Sequence, residues 1–343
     1  MLEIQEFKNN DRERWEEFIN NSNNSTFYHQ IGWKDVVEKT YKHDPYYLIA
    51  EEDGEIKGVL PLFLIKNKIF GKKLVSVPFG PYGGVCADNK VTEDALTEEA
   101  KRITKNCKAD YLEIRNIYPK KHPSYVTKSF YVTSVLELNK DNNVVWKDKL
   151  SKGKRKMISR SEKKNLTLEW VDKVDGFFRL FARNMRDLGS PVHSISFFKN
   201  ILHELPENSK ILEVRMDDDV IYSAFYLFYK DRMINSWSST LKEYRKYLPT
   251  DFGIWNAIKY GCENGYSCYD FGRSQIDSSN FEFKRRWGTE AKELHYQYYL
   301  NTINKVPNST TSNPDRQIFA KVWKKTPVLV ANNLGPMIRK YFQ

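Results

Sequence analysis

The chain lacks any long apolar run. Its longest, Val59 to Ile65, is interrupted by Pro61 and falls far short of the roughly 20 residues a bilayer span needs. Cysteine is scarce: Cys86, Cys107, Cys262 and Cys268 form no CxxC pair and match no zinc-ligand spacing. They read as buried thiols of a reducing compartment, without a disulfide framework or metal site. The six histidines are scattered. No GxSxG turn, Walker loop or HExxH is present, and no cysteine neighbours a base, so covalent and metal catalysis lack support. The amino terminus, MLEIQEFKNN, lacks the basic-then-apolar layout of a signal peptide, so an intracellular, cytoplasmic protein is expected. Chemistry by positioning and electrostatics remains, or binding without chemistry.

Charge, rings and repetition are what the sequence does contain. Its 343 residues suffice for two domains, and 40% apolar with 14% aromatic residues provides material for two cores. The net charge of +11 calls for an anionic partner: nucleic acid, a phosphorylated small molecule or an acidic membrane surface.

Apolar spacing predicts helices at 11–19 and 30–41, strands at 46–51 and 56–65 about the turn Asp53-Gly54, and a strand at 73–77. That strand runs into the loop PFGPYGG, followed by a helix at 92–107 and strands at 111–115 and 129–138. The same order returns as helices at 177–187 and 195–205, strands at 211–216, 220–229 and 233–238, a helix at 250–264 and a strand at 269–271. Trp33 precedes Asp53 by 20 residues and Phe197 precedes Asp217 by 20, an offset of 164. DYLEIRN (110–116) aligns with CYDFGRS (268–274) at an offset of 158, which sets Arg115 against Arg273. This is an internal duplication. It predicts an α/β (α+β) fold, one mixed sheet flanked by helices per half, with domains at 1–143 and 144–300 and a tail at 301–343.

Between the halves, Lys147 to Lys164 carries nine cations against two acids, with an apolar seam of Trp146, Leu150, Met157 and Ile158. A helix with a phosphate-binding face is expected there, with Lys152, Arg155 and Lys156 foremost. The stretch from Tyr269 to Gly288, YDFGRSQIDSSNFEFKRRWG, interleaves Phe281, Phe283 and Trp287 with Lys284, Arg285 and Arg286 after a short strand. Rings that stack and cations that meet phosphate or an oxyanion suit an anionic ligand with flat groups. A buried segment with solvated charges would carry the same composition.

Five stretches carry a resemblance: FYHQIGW (27–33), VPFGPYGGV (77–85), RNMRDLGSP (183–191), YDFGRS with FEFKRRWG, and WKKTPVLVANNLGP (323–336). Over essentially its full length the chain resembles the FemABX family of non-ribosomal peptidyl (aminoacyl) transferases. Its tail resembles a subgroup tied to exopolysaccharide and exported-protein systems. The resemblance implies two tandem GNAT-like domains and aminoacyl transfer from aminoacyl-tRNA to an amine of a nucleotide- or lipid-linked cell-envelope precursor, with no cofactor or metal. It implies Lys284 and Asp270 as catalytic. It places the donor at Phe283, Arg285, Arg286, Trp287, Arg273, Lys152, Arg155 and Lys156, and the acceptor near Trp33, Lys34, Tyr82, Arg183, Arg186 and Tyr226.

Two features depart from the family pattern. Members acting on a nucleotide-linked muropeptide carry lysine two residues after the tryptophan, where this chain has Asp35, and the long coiled-coil arm of some members is absent. The rivals are an acyl-CoA-dependent N-acyltransferase acting on an exported polysaccharide sugar, and a non-catalytic RNA- or membrane-surface-binding protein. The apolar tail, Val328, Leu329, Val330, Leu334, Met337, Ile338, Tyr341 and Phe342 bracketed by Lys324, Lys325, Arg339 and Lys340, is expected to pack on the first domain. Peripheral membrane association through it is the alternative.

Overall fold

The computed structural model describes residues 1–67, 71–120, 122–307 and 314–341. The chain forms two compact units: Met1–Tyr131 with Glu293–Ser309 and Lys340–Gln343, and Val132–Lys292 with Thr310–Arg339. The expected boundaries at 143 and 300 therefore shift, because strands close to both boundaries pass from one unit to the other.

In the first unit, helix α1 (Arg12–Asn21) buries Trp15 and Ile19, and α2 (Ile31–Tyr41) buries Trp33, Val36 and Val37. Strand β1 (Glu3–Glu6) pairs with β2 (Leu48–Glu52), which pairs with β3 (Glu55–Leu60), all antiparallel. Next, β4 (Phe63–Asn67) pairs antiparallel with β5 (Gly71–Val75). Helix α3 (Lys90–Asn106) then carries the chain to β6 (Tyr111–Asn116), parallel to β5. Leucines 48, 60, 62, 64, 74, 96 and 112 share one core.

The second unit begins within β7 (Val126–Glu137) and continues through α4 (Lys152–Ser161), β8 (Thr167–Val171), α5 (Asp175–Leu188) and α6 (Ile195–Glu204). An antiparallel meander follows: β9 (Ser209–Met216), β10 (Asp219–Tyr229) and β11 (Arg232–Thr240). Helix α7 (Pro249–Glu263) crosses over to β12 (Cys268–Gln275), parallel to β11. Almost all of β10 is buried, since both faces of the sheet are covered. Phe225 packs against Phe177, Phe198 and Trp237, while Tyr222, Tyr226 and Phe228 join the cluster of Ile254, Trp255 and Ile258 from α7. A short helix α8 (Ser279–Arg285) leads to β13 (Glu290–Leu300), whose last six residues pair with β6 in the first unit. The sequence reading lacked β1, β8 and β13.

The duplication reaches the level of register. Glu51 pairs with Ile56 in one hairpin and Arg215 with Val220 in the other; bulges fall at Ala50/Glu51 and Val214/Arg215, so every position is offset by 164. Asp53 and Asp217 open the two turns at φ of 51° and 52°. At the same offset His29 answers to His193, both buried. Pro61 cannot donate to a ladder, so the predicted strand 56–65 is split into β3 and β4. Its counterpart Phe225 lies at a bulge that leaves β10 continuous.

The tail forms α9 (Pro314–Trp323) and α10 (Val328–Arg339), and both belong to the second unit, not the first. A side chain at Gly189 would strike Ala320, and one at Gly335 would crowd Val192. Arg186 donates to the Thr326 carbonyl, and Arg339 Nε lies 3.0 Å from His193 Nε2. Small residues need a close partner surface, and the end of α5 supplies one. The expectation of the first domain, implied by the resemblance, holds for the segments flanking these helices: 301–307 and 340–341 belong to the first unit, where His43 and Lys73 meet the Lys340 and Tyr341 carbonyls. Phe342 lies outside the described residues.

Candidate functional site

The site begins where β12 leaves its neighbour. β11 and β12 pair from Arg232/Cys268 to Ile234/Asp270, yet β11 continues to Thr240 and β12 to Gln275. Gly272, at φ 74°, turns the strand at the point where pairing has ended. Asp270 is fully buried there. It accepts hydrogen bonds from the Thr133 hydroxyl and from the Gly272 N–H at 2.7 Å, and Arg232 stands 3.5 Å from its other oxygen.

Ser278 caps α8 by accepting from Phe281 N–H, and this short helix turns Lys284 back toward the strand end. Its ammonium donates to the carbonyls of Gly272 (2.8 Å) and Arg273 (3.1 Å). Burial is the main cause that lowers its pKa to about 8, with Asp270 opposing the shift and Arg273 adding to it. Phe281 and Phe283 are half-buried, and Arg285 and Arg286 exposed. Trp287 is fully buried against Phe271. Gly288 follows at φ 76°, where any Cβ would strike the Lys149 carbonyl. Phe283, Lys284 and Trp287 are thus pinned from both sides.

On the basic helix α4, Lys152 and Lys156 are exposed. Arg155 instead donates to the carbonyls of Trp146 and Lys147, closing the π-turn Val145–Lys149. Lys154, absent from the expected set, turns inward. It is paired with Asp251 at 2.7 Å, and its ammonium stands 4.3 Å above the Trp287 ring and 5.4 Å above Phe283. Its place four residues after Leu150 and four before Ile158, on the apolar seam, was the readable signal.

Tyr269, next to Asp270 on β12, belongs to a phenol cluster. The hydroxyls of Tyr226 and Tyr269 are 2.9 Å apart, and Asn235 donates to both. Burial pushes both phenols above the usual tyrosine range, and Tyr222 beside them to about 12. Tyr226 is therefore a core residue, not an exposed acceptor contact. Thr133, Arg232 and Asn235 went unread, having no local pattern to mark them, and Tyr269 was read only as the start of the strand.

Of the other expected acceptor residues, Trp33, Lys34 and Tyr82 belong to the first unit and Arg183 and Arg186 to the second. Trp33 is fully buried in the first unit, its indole N–H on the Pro78 carbonyl. Tyr82 is buried edge-on to Tyr28, and Lys34 pairs with Glu38. In the second unit, Arg183 pairs with Glu243, and Arg186 with Asp187 and the tail. Asp35, the departure from the family pattern, holds Arg12 at 2.6 Å. Among the described residues no group of three or more His, Cys, Asp or Glu side chains could hold a metal, and no helix is long and apolar enough to cross a membrane.

Residues 151–285 match the profile of an acetyltransferase (GNAT) domain. The fold is similar to that of FemX, with a TM-score of 0.69 at 18% identity over 88% of this chain and 98% of that one. It is also similar to a tandem GNAT protein from the clavulanic acid biosynthesis pathway (0.58; 9%; 89% and 100%). A third likeness is to L-PGS from Bacillus licheniformis (0.55; 10%; 94% and 99%). No curated protein matches the sequence. The chain has a FemABX-like double GNAT fold.

Proposed function

We propose that the protein transfers an aminoacyl group from aminoacyl-tRNA to an amine of a cell-envelope precursor, with the chemistry in the second unit. The observation that carries this reading is Lys284: a buried ammonium with two of its three N–H groups fixed on strand-end carbonyls. A neutral acceptor amine attacks the ester carbonyl, and the carbonyl π pair moves onto oxygen. The third N–H of Lys284 meets that oxyanion without the cost of stripping water from the cation during the reaction. Collapse expels the ribose oxygen, which takes the proton lost by the amine. No covalent enzyme intermediate forms. Asp270 orients Gly272 and offsets the lysine charge. Phe283 offers a half-exposed ring for the terminal base, while Arg286, Lys152 and Lys156 offer exposed charge to phosphates. The fold shared with FemX and L-PGS supports this donor class.

One observation favours acyl-CoA as donor instead: the matched profile over 151–285 is that of an acetyltransferase. Purified protein should be given labelled aminoacyl-tRNA or labelled acetyl-CoA together with an amine acceptor. Amide product from the tRNA donor is expected, in a reaction that slows with salt. Product from acetyl-CoA alone would move the assignment to the second reading, and product from neither would remove the catalytic one.

A further inference from the structure

The docked tail buries Trp323 but wears most of its aliphatic side chains on the outside. On α10, Ala331 and Gly335 face inward, whereas Leu329 (75% exposed), Leu334 (46%) and Met337 (64%) face solvent. With Val330 they fall within an arc of about 140° at 100° per residue, shared with a single polar residue, Asn333. Ile318 and Val322 do the same on α9, at 62% and 65% exposure. Such a concentration of exposed apolar side chains marks an interaction surface.

Charge identifies the occupant. From Arg316 to Tyr341 there are six cations and no Asp or Glu, and Lys321, Lys324 and Lys325 are exposed beside the apolar rows. Two copies of such a face would repel one another. An anionic lipid surface satisfies both features: apolar side chains enter the acyl boundary, and lysines remain among the headgroups. We infer that α9 and α10 seat the second unit on an anionic membrane surface. Packing and membrane contact are then two faces of one element, not alternatives. The inference does not depend on which donor the site uses.

The full chain should be sedimented with phosphatidylcholine vesicles and with vesicles containing about 30% phosphatidylglycerol. Binding to the anionic vesicles alone is expected. The triple variant Leu329→Gln, Leu334→Gln, Met337→Gln should lower partition at least about tenfold while leaving the melting temperature unchanged, because these side chains are already in water. Lys321→Glu with Lys324→Glu and Lys325→Glu should weaken it as strongly, at about fivefold per cation. The inference fails if the wild type ignores anionic vesicles, whether it is then monomeric or a dimer that the triple variant splits. It fails equally if the triple variant binds as the wild type does.

Discussion

At Lys284 the sequence suggested the residue but not its burial. Cations alternating with rings left two readings open: rings that stack while cations meet an anion, or solvated charges beside buried phenylalanines in a strand-like alternation. A seven-residue helix displays them instead, so the lysine is buried and Phe281 and Phe283 are half open. Moving its pKa from 10.5 to about 8 corresponds to about 3 kcal/mol against the charged form. That cost is fully present below pH 8. Between about 8 and 10.5 the unfolded chain still holds a proton the folded chain has released, so stability rises with pH. Lys284→Met should abolish this rise in urea titrations. At pH 7 its melting temperature should stay near the wild type, since two carbonyls lose their donor as the buried charge disappears. Turnover should fall about 10²–10³-fold, and the alkaline loss of rate near pH 8 should vanish with it. Near-normal turnover would sink the assigned role.

At the element scale, α4 divides its labour between two faces. The outward charges were legible as a run, but Lys154 looked like one more member of it. A tertiary partner on α7, Asp251, gives it a different role, because a buried carboxylate 97 residues away leaves no local trace. Lys154→Met should destabilise by about 3–5 kcal/mol by leaving that carboxylate buried and unpaired. Adding Asp251→Leu should restore most of the loss. Additive losses in the double-mutant cycle would show that the pair is not the clamp between α4, α7 and α8 described above.

Across the whole molecule, two halves were readable because hairpin turns and strand ends repeat at fixed spacing. β13 was not, because its first four residues are exposed and mostly charged, and its partner strand β6 is remote in sequence: the Asn116–Gln297 hydrogen bond joins residues 181 apart. The tail was placed only in part: its last residues reach the first unit as expected, but its two helices dock on the second, partly through Ala331 and Gly335, small residues that hydrophobic patterning passes over. In the first half, Arg115 is buried and tied to Glu113 at 2.7 Å and to the Gly80 carbonyl at 2.7 Å, inside the loop Pro78 to Gly84. Arg115→Met should therefore lower stability by about 3–5 kcal/mol, while the protein that remains folded turns over normally. Leu112 stands 158 residues before Asp270. Seen as descent, one copy was released from handling charge and its arginine became a rivet for a loop. In relatives derived from the same duplication, selection should hold that arginine and its loop glycines while position 112 drifts among apolar residues.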